Sequence, residues 1–146
     1  MAPLICLIVA FLVFRAIGLF VPYFADWNTA LRAALGVMFL LTASAHWGKR
    51  RPDLIRMVPK GIGNAGLWVS VTGVAELAIA IGLQIPHLAR WTAGAAILTL
   101  CCLFPANIKA AREHLTIQQR PVLPVVPRLL LQLVFLSALA AVLVTR

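Results

Sequence analysis

Five long apolar stretches, at about residues 3 to 22, 29 to 47, 64 to 85, 89 to 112 and 125 to 145, leave this chain few ways to fold. At about 1.5 Å per residue, each is long enough as a helix to cross a hydrocarbon core of roughly 30 Å. Lipid offers no water to the backbone, so only helices and closed barrels satisfy their own amides there. Ala, Leu and Gly run throughout, without the short alternating strands of a barrel, which favours helices. Composition agrees: 62% of the 146 residues are hydrophobic and 12% are charged, where a soluble domain carries about a quarter charged residues. The expectation is an all-α membrane protein, a single transmembrane domain over 1–146 with five spans.

The first stretch is N-terminal and apolar, as a secretory signal is. It lacks a charged n-region beyond the amine, carries Arg15 within the apolar run and shows no small-x-small cleavage site before Trp27, so it is expected to be retained. With five spans, the loops after the second and fourth share a side with the N-terminus. They hold Lys49, Arg50, Arg51, Arg56 and Lys60, then Lys109, Arg112 and Arg120, with Arg128 at the edge; the other side has Arg32, Arg90 and Arg146. The positive-inside rule then places the N-terminus in the cytoplasm and the C-terminus outside, in a bacterial-type inner membrane. The net charge of +9 is an orientation signal in this reading and gives no reason to expect nucleic acid. Lys49, Arg50, Arg51 and Arg56 are candidates for contact with anionic lipid, because Arg56 follows apolar Leu54 and Ile55 in a segment suited to the interface. Trp27, Trp47, Trp68 and Trp91 fall within a few residues of span ends, where indoles prefer to sit.

Sequence motifs for catalysis fail on inspection. GIGNAG at 61–66 matches the dinucleotide fingerprint, but a membrane span follows it and no strand precedes it. Cys6, Cys101 and Cys102 lie inside apolar stretches without CxxC spacing. No metal cluster, nucleophile-base pair or phosphate loop is visible, so catalysis by this chain is not expected.

The polar residues within the spans are more informative, since a charge at mid-span costs on the order of 2.5 to 3.5 kcal/mol on insertion scales. Arg15 and Glu76 each lie about twelve residues from the cytoplasmic end of their span, a depth of about 18 Å, which suggests an ion pair. Thr72, one turn from Glu76, could donate a hydrogen bond to it. His46, Asn107, Arg128 and Gln132 lie nearer the cytoplasmic side and, if turned inward, would make a polar vestibule above Glu76. Each has a plainer reading: His46 as an interfacial residue, Arg128 reaching to head groups, Asn107 and Gln132 bonding neighbouring helices, and Glu76 as a pin of helix register.

Several strings occurring in order, ALGVMFLLTASAHW, MVPKGIG, TGVAELAIAIGL with Pro86 following, CLFPANIKAA and RLLLQLVFL, resemble the DoxX family of small integral membrane proteins across about residues 33 to 140. His46, Glu76, the PAN at 105–107 and the Arg128/Gln132 pair carry the likeness, and RAIG at 15–18 resembles the extra N-terminal span of one branch. The resemblance implies a DoxX-like four-helix transmembrane bundle over 29–146, with residues 1–28 as an added helix and loop. Members of that family include membrane subunits linked to thiosulfate and quinone oxidation, partners in oxidative-stress complexes, and a distant receptor chaperone. This chain lacks paired redox cysteines. The expected function is therefore a non-catalytic accessory protein binding a lipid-like small molecule or a partner protein through Glu76, His46, Asn107, Thr72, Arg128 and Gln132. The alternative is a membrane subunit of a quinone-linked redox complex. No intrinsic cofactor is expected; a quinone is compatible with either reading, as is a redox or client membrane-protein partner.

Overall fold

The computed structural model describes residues 1–145; Arg146, counted above on the outer side, lies outside them. Six α-helices and one short ribbon follow in order among the described residues: α1 (Ala2–Ile17), α2 (Trp27–Ser44), α3 (Arg51–Met57), α4 (Ala65–Gly82), α5 (Ala89–Arg112), β1 (Thr116–Ile117), β2 (Arg120–Pro121) and α6 (Val125–Val144).

The starts of α2 and α4 are written in their capping residues. The Asp26 carboxylate accepts the Thr29 N–H at 2.8 Å, and the Asn64 carbonyl oxygen accepts the Leu67 N–H at 3.1 Å, each satisfying an amide that the first turn leaves free. Asn64 belongs to the GIGNAG string, whose Gly61 and Gly63 take positive φ in the turn leading into α4. Those residues cap a helix.

Helices α4, α5 and α6 are long and apolar enough to cross a membrane. The first stretch departs from its expected length. Helix α1 stops after 16 residues, about 24 Å, because the chain turns at Gly18 to Phe20 and continues through a 3-10 turn at Pro22–Phe24. Helix α2 has 18 residues but is less apolar, and its position accounts for that. It packs against α1 on one flank and against α4 and α6 on others, so Ala30, Arg32, Ala34, Leu35, Met38 and Ala43 are all buried although they point in different directions.

The core gathers Leu35, Met38 and Phe39 of α2 with Ile79 of α4, Ala93 of α5 and Leu139 and Val142 of α6; Leu83, just past α4, joins them. Large apolar side chains on the outer surfaces of these helices, among them Val74, Ile81, Leu98 and Leu130, are exposed. Such a surface suits lipid as solvent. Close backbone approach of α2 and α4 depends on glycine. A methyl group at Gly73 would come within 2.7 Å of His46 Cβ, and one at Gly36 would meet the Gln84 amide.

The connection between α5 and α6 contains the antiparallel β1–β2 ribbon, with Ile117 paired to Arg120. Gln118 and Gln119 at its tip both have positive φ, the mirror-image turn that matches strand twist. The ribbon is held against α3: Asp53 accepts the Gln118 N–H at 2.9 Å, and Arg50 Nε donates to the Gln118 side chain at 3.1 Å. The Gln118 amide, with Arg56 beside it, holds the Asp53 carboxyl below the usual carboxylate range.

Candidate functional site

Glu76 lies on the face of α4 that meets α2, and it is buried. Its Oε2 atom has no hydrogen-bond partner and sits 3.8 Å from His46 Nδ1, too far for a hydrogen bond. The imidazole is committed elsewhere. His46 Nδ1 is 3.2 Å from the carbonyl oxygen of Thr42, and because a carbonyl only accepts, Nδ1 carries the proton. The Thr42 hydroxyl lies beside the Glu76 carboxyl while donating to the Phe39 carbonyl at 3.1 Å. Three polar side chains thus converge on one point, and one carboxyl oxygen among them remains free.

The end of this contact is tied by Arg51. One of its guanidinium nitrogens donates to the His46 carbonyl at 2.8 Å; the other donates to the Gly66 carbonyl at 3.0 Å and the Ser70 hydroxyl at 2.9 Å. Arg51 therefore joins the chain leaving α2 to the first turns of α4 and holds His46 at its place. Arg50 and Arg56 are also bonded within the protein, Arg56 to Asp53 and to the Thr116 carbonyl.

A second polar contact joins α5 to α6. Arg128 Nη1 donates to Asn107 Oδ1 at 2.7 Å and Arg128 Nε donates to the Leu123 carbonyl at 3.2 Å. Gln132, also buried, donates to the Leu100 carbonyl at 2.8 Å. Pro105 within α5 supplies no N–H to the Cys101 carbonyl four residues back, and the carbonyl that Gln132 bonds is the one next to it. No hydrogen bond or ion pair joins this set to Glu76 or His46 among the described residues. The expected single vestibule is resolved into two separate contacts.

Two local expectations are corrected. Arg15 does not pair with Glu76. Arg15 is exposed, and its guanidinium donates to the carbonyls of Ala25 and Phe24, just before α2 begins. Glu76 faces Thr42 and His46, toward the other end of α2; from Trp27 to Thr42 is about 22 Å along the helix. Nor does Thr72 reach Glu76, because its hydroxyl donates to the carbonyls of its own helix, at Trp68 (2.9 Å) and Val69 (3.1 Å).

Thr42, Arg51 and Ser70 belong to the site and were missed from sequence. A signal for Thr42 was present, since it stands four residues before His46 and so on the same face of α2. Nothing in the sequence separates Arg51 from the basic residues beside it.

The fold and this geometry define an all-α protein with three helices long and apolar enough to cross a membrane and a buried carboxyl-imidazole contact where α2 meets α4. Comparison of the sequence with family models takes the assignment one step further. The chain belongs to the family described as Domain of unknown function (DUF8561), whose model matches residues 35–144. The matched region includes both polar contacts and begins after α1 and the first turns of α2. Neither the curated proteins nor the solved structures yield a match.

Proposed function

We propose that this chain is a five-span, DoxX-like accessory protein of the inner membrane that binds a lipid-like small molecule at the Glu76, His46 and Thr42 contact, without catalysing a reaction itself. One observation carries the reading: Glu76 Oε2 is a buried acceptor with no donor. Burying such an atom costs free energy unless something donates to it, and a hydroxyl-bearing ligand entering between α2 and α4 would supply the missing bond. The gathering of Arg50, Arg56 and Lys109 around α3 and the ribbon supports a cytoplasmic location for that end of the bundle.

A quinone-linked membrane subunit is the second reading, favoured by the 3.8 Å approach of His46 to Glu76. A quinol offers hydroxyl donors to a carboxylate, and the imidazole, whose one proton is bonded to the Thr42 carbonyl, offers its other nitrogen as an acceptor.

Native mass spectrometry of gently extracted wild-type protein and of Glu76→Gln tests both readings. The accessory reading expects a bound small lipid-like molecule on the wild type and its loss from the variant. A bound quinone together with a redox partner supports the second reading. Equal ligand occupancy in the two proteins, or none in either, overturns the assignment of Glu76 as anchor.

A further inference from the structure

At the far end of α2 from Glu76, two more buried polar atoms lack partners, and both are donors. They are Asn28 Nδ2 and Arg32 Nε. The two residues are four apart, so they share a face of the helix. Arg32 is 9% exposed; its one hydrogen bond goes from Nη2 to the Thr29 hydroxyl at 3.3 Å, which leaves most of the five guanidinium N–H donors unused.

No acid side chain among the described residues makes an ion pair with Arg32. There are four in the sequence. Asp53 bonds Gln118 and Arg56 beside the ribbon, Glu76 faces His46, and Glu113 follows the last turn of α5. Asp26, the one acid near Arg32, feels its charge but makes no direct ion pair with it, because its carboxylate already accepts both the N–H and the hydroxyl of Thr29, at 2.8 and 3.0 Å. Asn28 Nδ2 and Arg32 Nε are thus left as donors for an acceptor other than the acid side chains described.

Position narrows its chemistry. Trp27 begins α2 and is half exposed, and an indole at a helix end sits at head-group level. The anion abundant at that level is phosphate. A guanidinium matches phosphate oxygens in a planar fork, and the N-terminal end of a helix favours negative charge.

We infer that Asn28 and Arg32 form a phosphate-binding site at the start of α2, distinct from the Glu76 contact and independent of what that contact binds. The phosphate is either a lipid phosphodiester or the free ion. Arg32 supplies charge and paired donors, Asn28 supplies a further donor, and Asp26 with Thr29 fixes the turn that presents them.

The test uses delipidated full-length protein, titrated separately with phosphatidylglycerol, inorganic phosphate and a diacylglycerol with the same chains but no phosphate. Melting temperature and native mass spectra are followed. Phosphatidylglycerol is expected to raise the melting temperature and persist as an adduct, and diacylglycerol to do neither. Arg32→Gln should lower phosphatidylglycerol occupancy about tenfold and Asn28→Ala less, while Arg56→Gln, beside the ribbon, leaves it unchanged. Protection by inorganic phosphate equal to that by the lipid supports the site and names the free ion as its occupant; protection by the lipid alone names the head group. Without phosphate, Arg32→Gln should melt only slightly lower than wild type, because the one bond it loses is the long one from Nη2 to the Thr29 hydroxyl. Unchanged occupancy in Arg32→Gln, equal protection by diacylglycerol, or no binding of either phosphate compound overturns the proposal. If Arg32→Gln fails to fold, Asn28→Ala decides: full occupancy in that variant overturns the site.

Discussion

The two polar contacts of this bundle differ in how completely they are satisfied. Between α5 and α6, the Asn107 side-chain oxygen, the Arg128 guanidinium, the Gln132 amide and the Leu100 carbonyl each have a partner between 2.7 and 3.2 Å. Between α2 and α4, the imidazole and the threonine hydroxyl have spent their protons on backbone carbonyls, and Glu76 Oε2 is left without a bond. A closed set fixes how two helices sit against each other. A set with one acceptor left over is where something else can be received. The residue types in the two places are similar; the difference lies in whether the donors balance the acceptors.

The largest expected effect tests closure of the α5–α6 contact. Arg128→Met and Asn107→Leu should each lower stability by about 2 kcal/mol, because each strands a partner. The double substitution should cost less than the sum of the two, since it removes both ends of the bond. Thermal and denaturant melting in lipid nanodiscs would measure this; simple additivity would show that the two residues are not a unit. The second test concerns the open contact. Glu76→Gln keeps the shape and removes no bond made by Oε2, so its loss should be under about 1 kcal/mol. A loss as large as that of Arg128→Met would erase the contrast.

The smallest effect lies outside both contacts, at the ribbon. The Asp53 carboxyl is held below its ordinary range in the folded chain, so its contribution is present above the unfolded value, about 4, and is lost as pH falls through the lowered folded value. Hydrogen exchange at the Gln118 amide, corrected for intrinsic rates, should keep its protection down to about pH 4 and lose it on further acidification. The α5–α6 contact contains no acid and should be unaffected. Loss of Gln118 protection between pH 7 and 5 would mean that Asp53 does not anchor the ribbon.

Much of the helical plan could be read from the residues. The apolar stretches that became α4, α5 and α6 were visible because long runs of one character have few competing solutions, and the four tryptophans lie within a few residues of helix ends. Glu76 and His46 stood out because a polar group among apolar neighbours needs a partner. The partner itself was not legible for Glu76. Depth along the spans set Arg15 level with it, but depth carries no information about azimuth, and it assumed that α1 runs the full width. The turn at Gly18 shortens α1 and sends Arg15 to the carbonyls of residues 24 and 25 instead. Arg51 was hidden for a different reason: among Lys49, Arg50 and Arg56 it has the same composition and charge, and only the packing of α3 turns it inward. The ribbon escaped notice because two paired residues per strand leave no period to detect, and its turn uses glutamine where glycine or asparagine would have announced it.

Pro105 has a consequence for how the protein is made. A proline within α5 leaves the Cys101 carbonyl without its helical donor, and on either side of it Gln132 and Arg128 of α6 donate to the Leu100 carbonyl and the Asn107 side chain. Until α6 is synthesised, the Asn107 side chain would have to remain near water or meet hydrocarbon unpaired, at a cost of several kcal/mol. The last two helices are thus better inserted together than in turn, as a hairpin whose second arm completes the first. The ribbon between them is short enough to keep the arms adjacent from the moment both leave the ribosome.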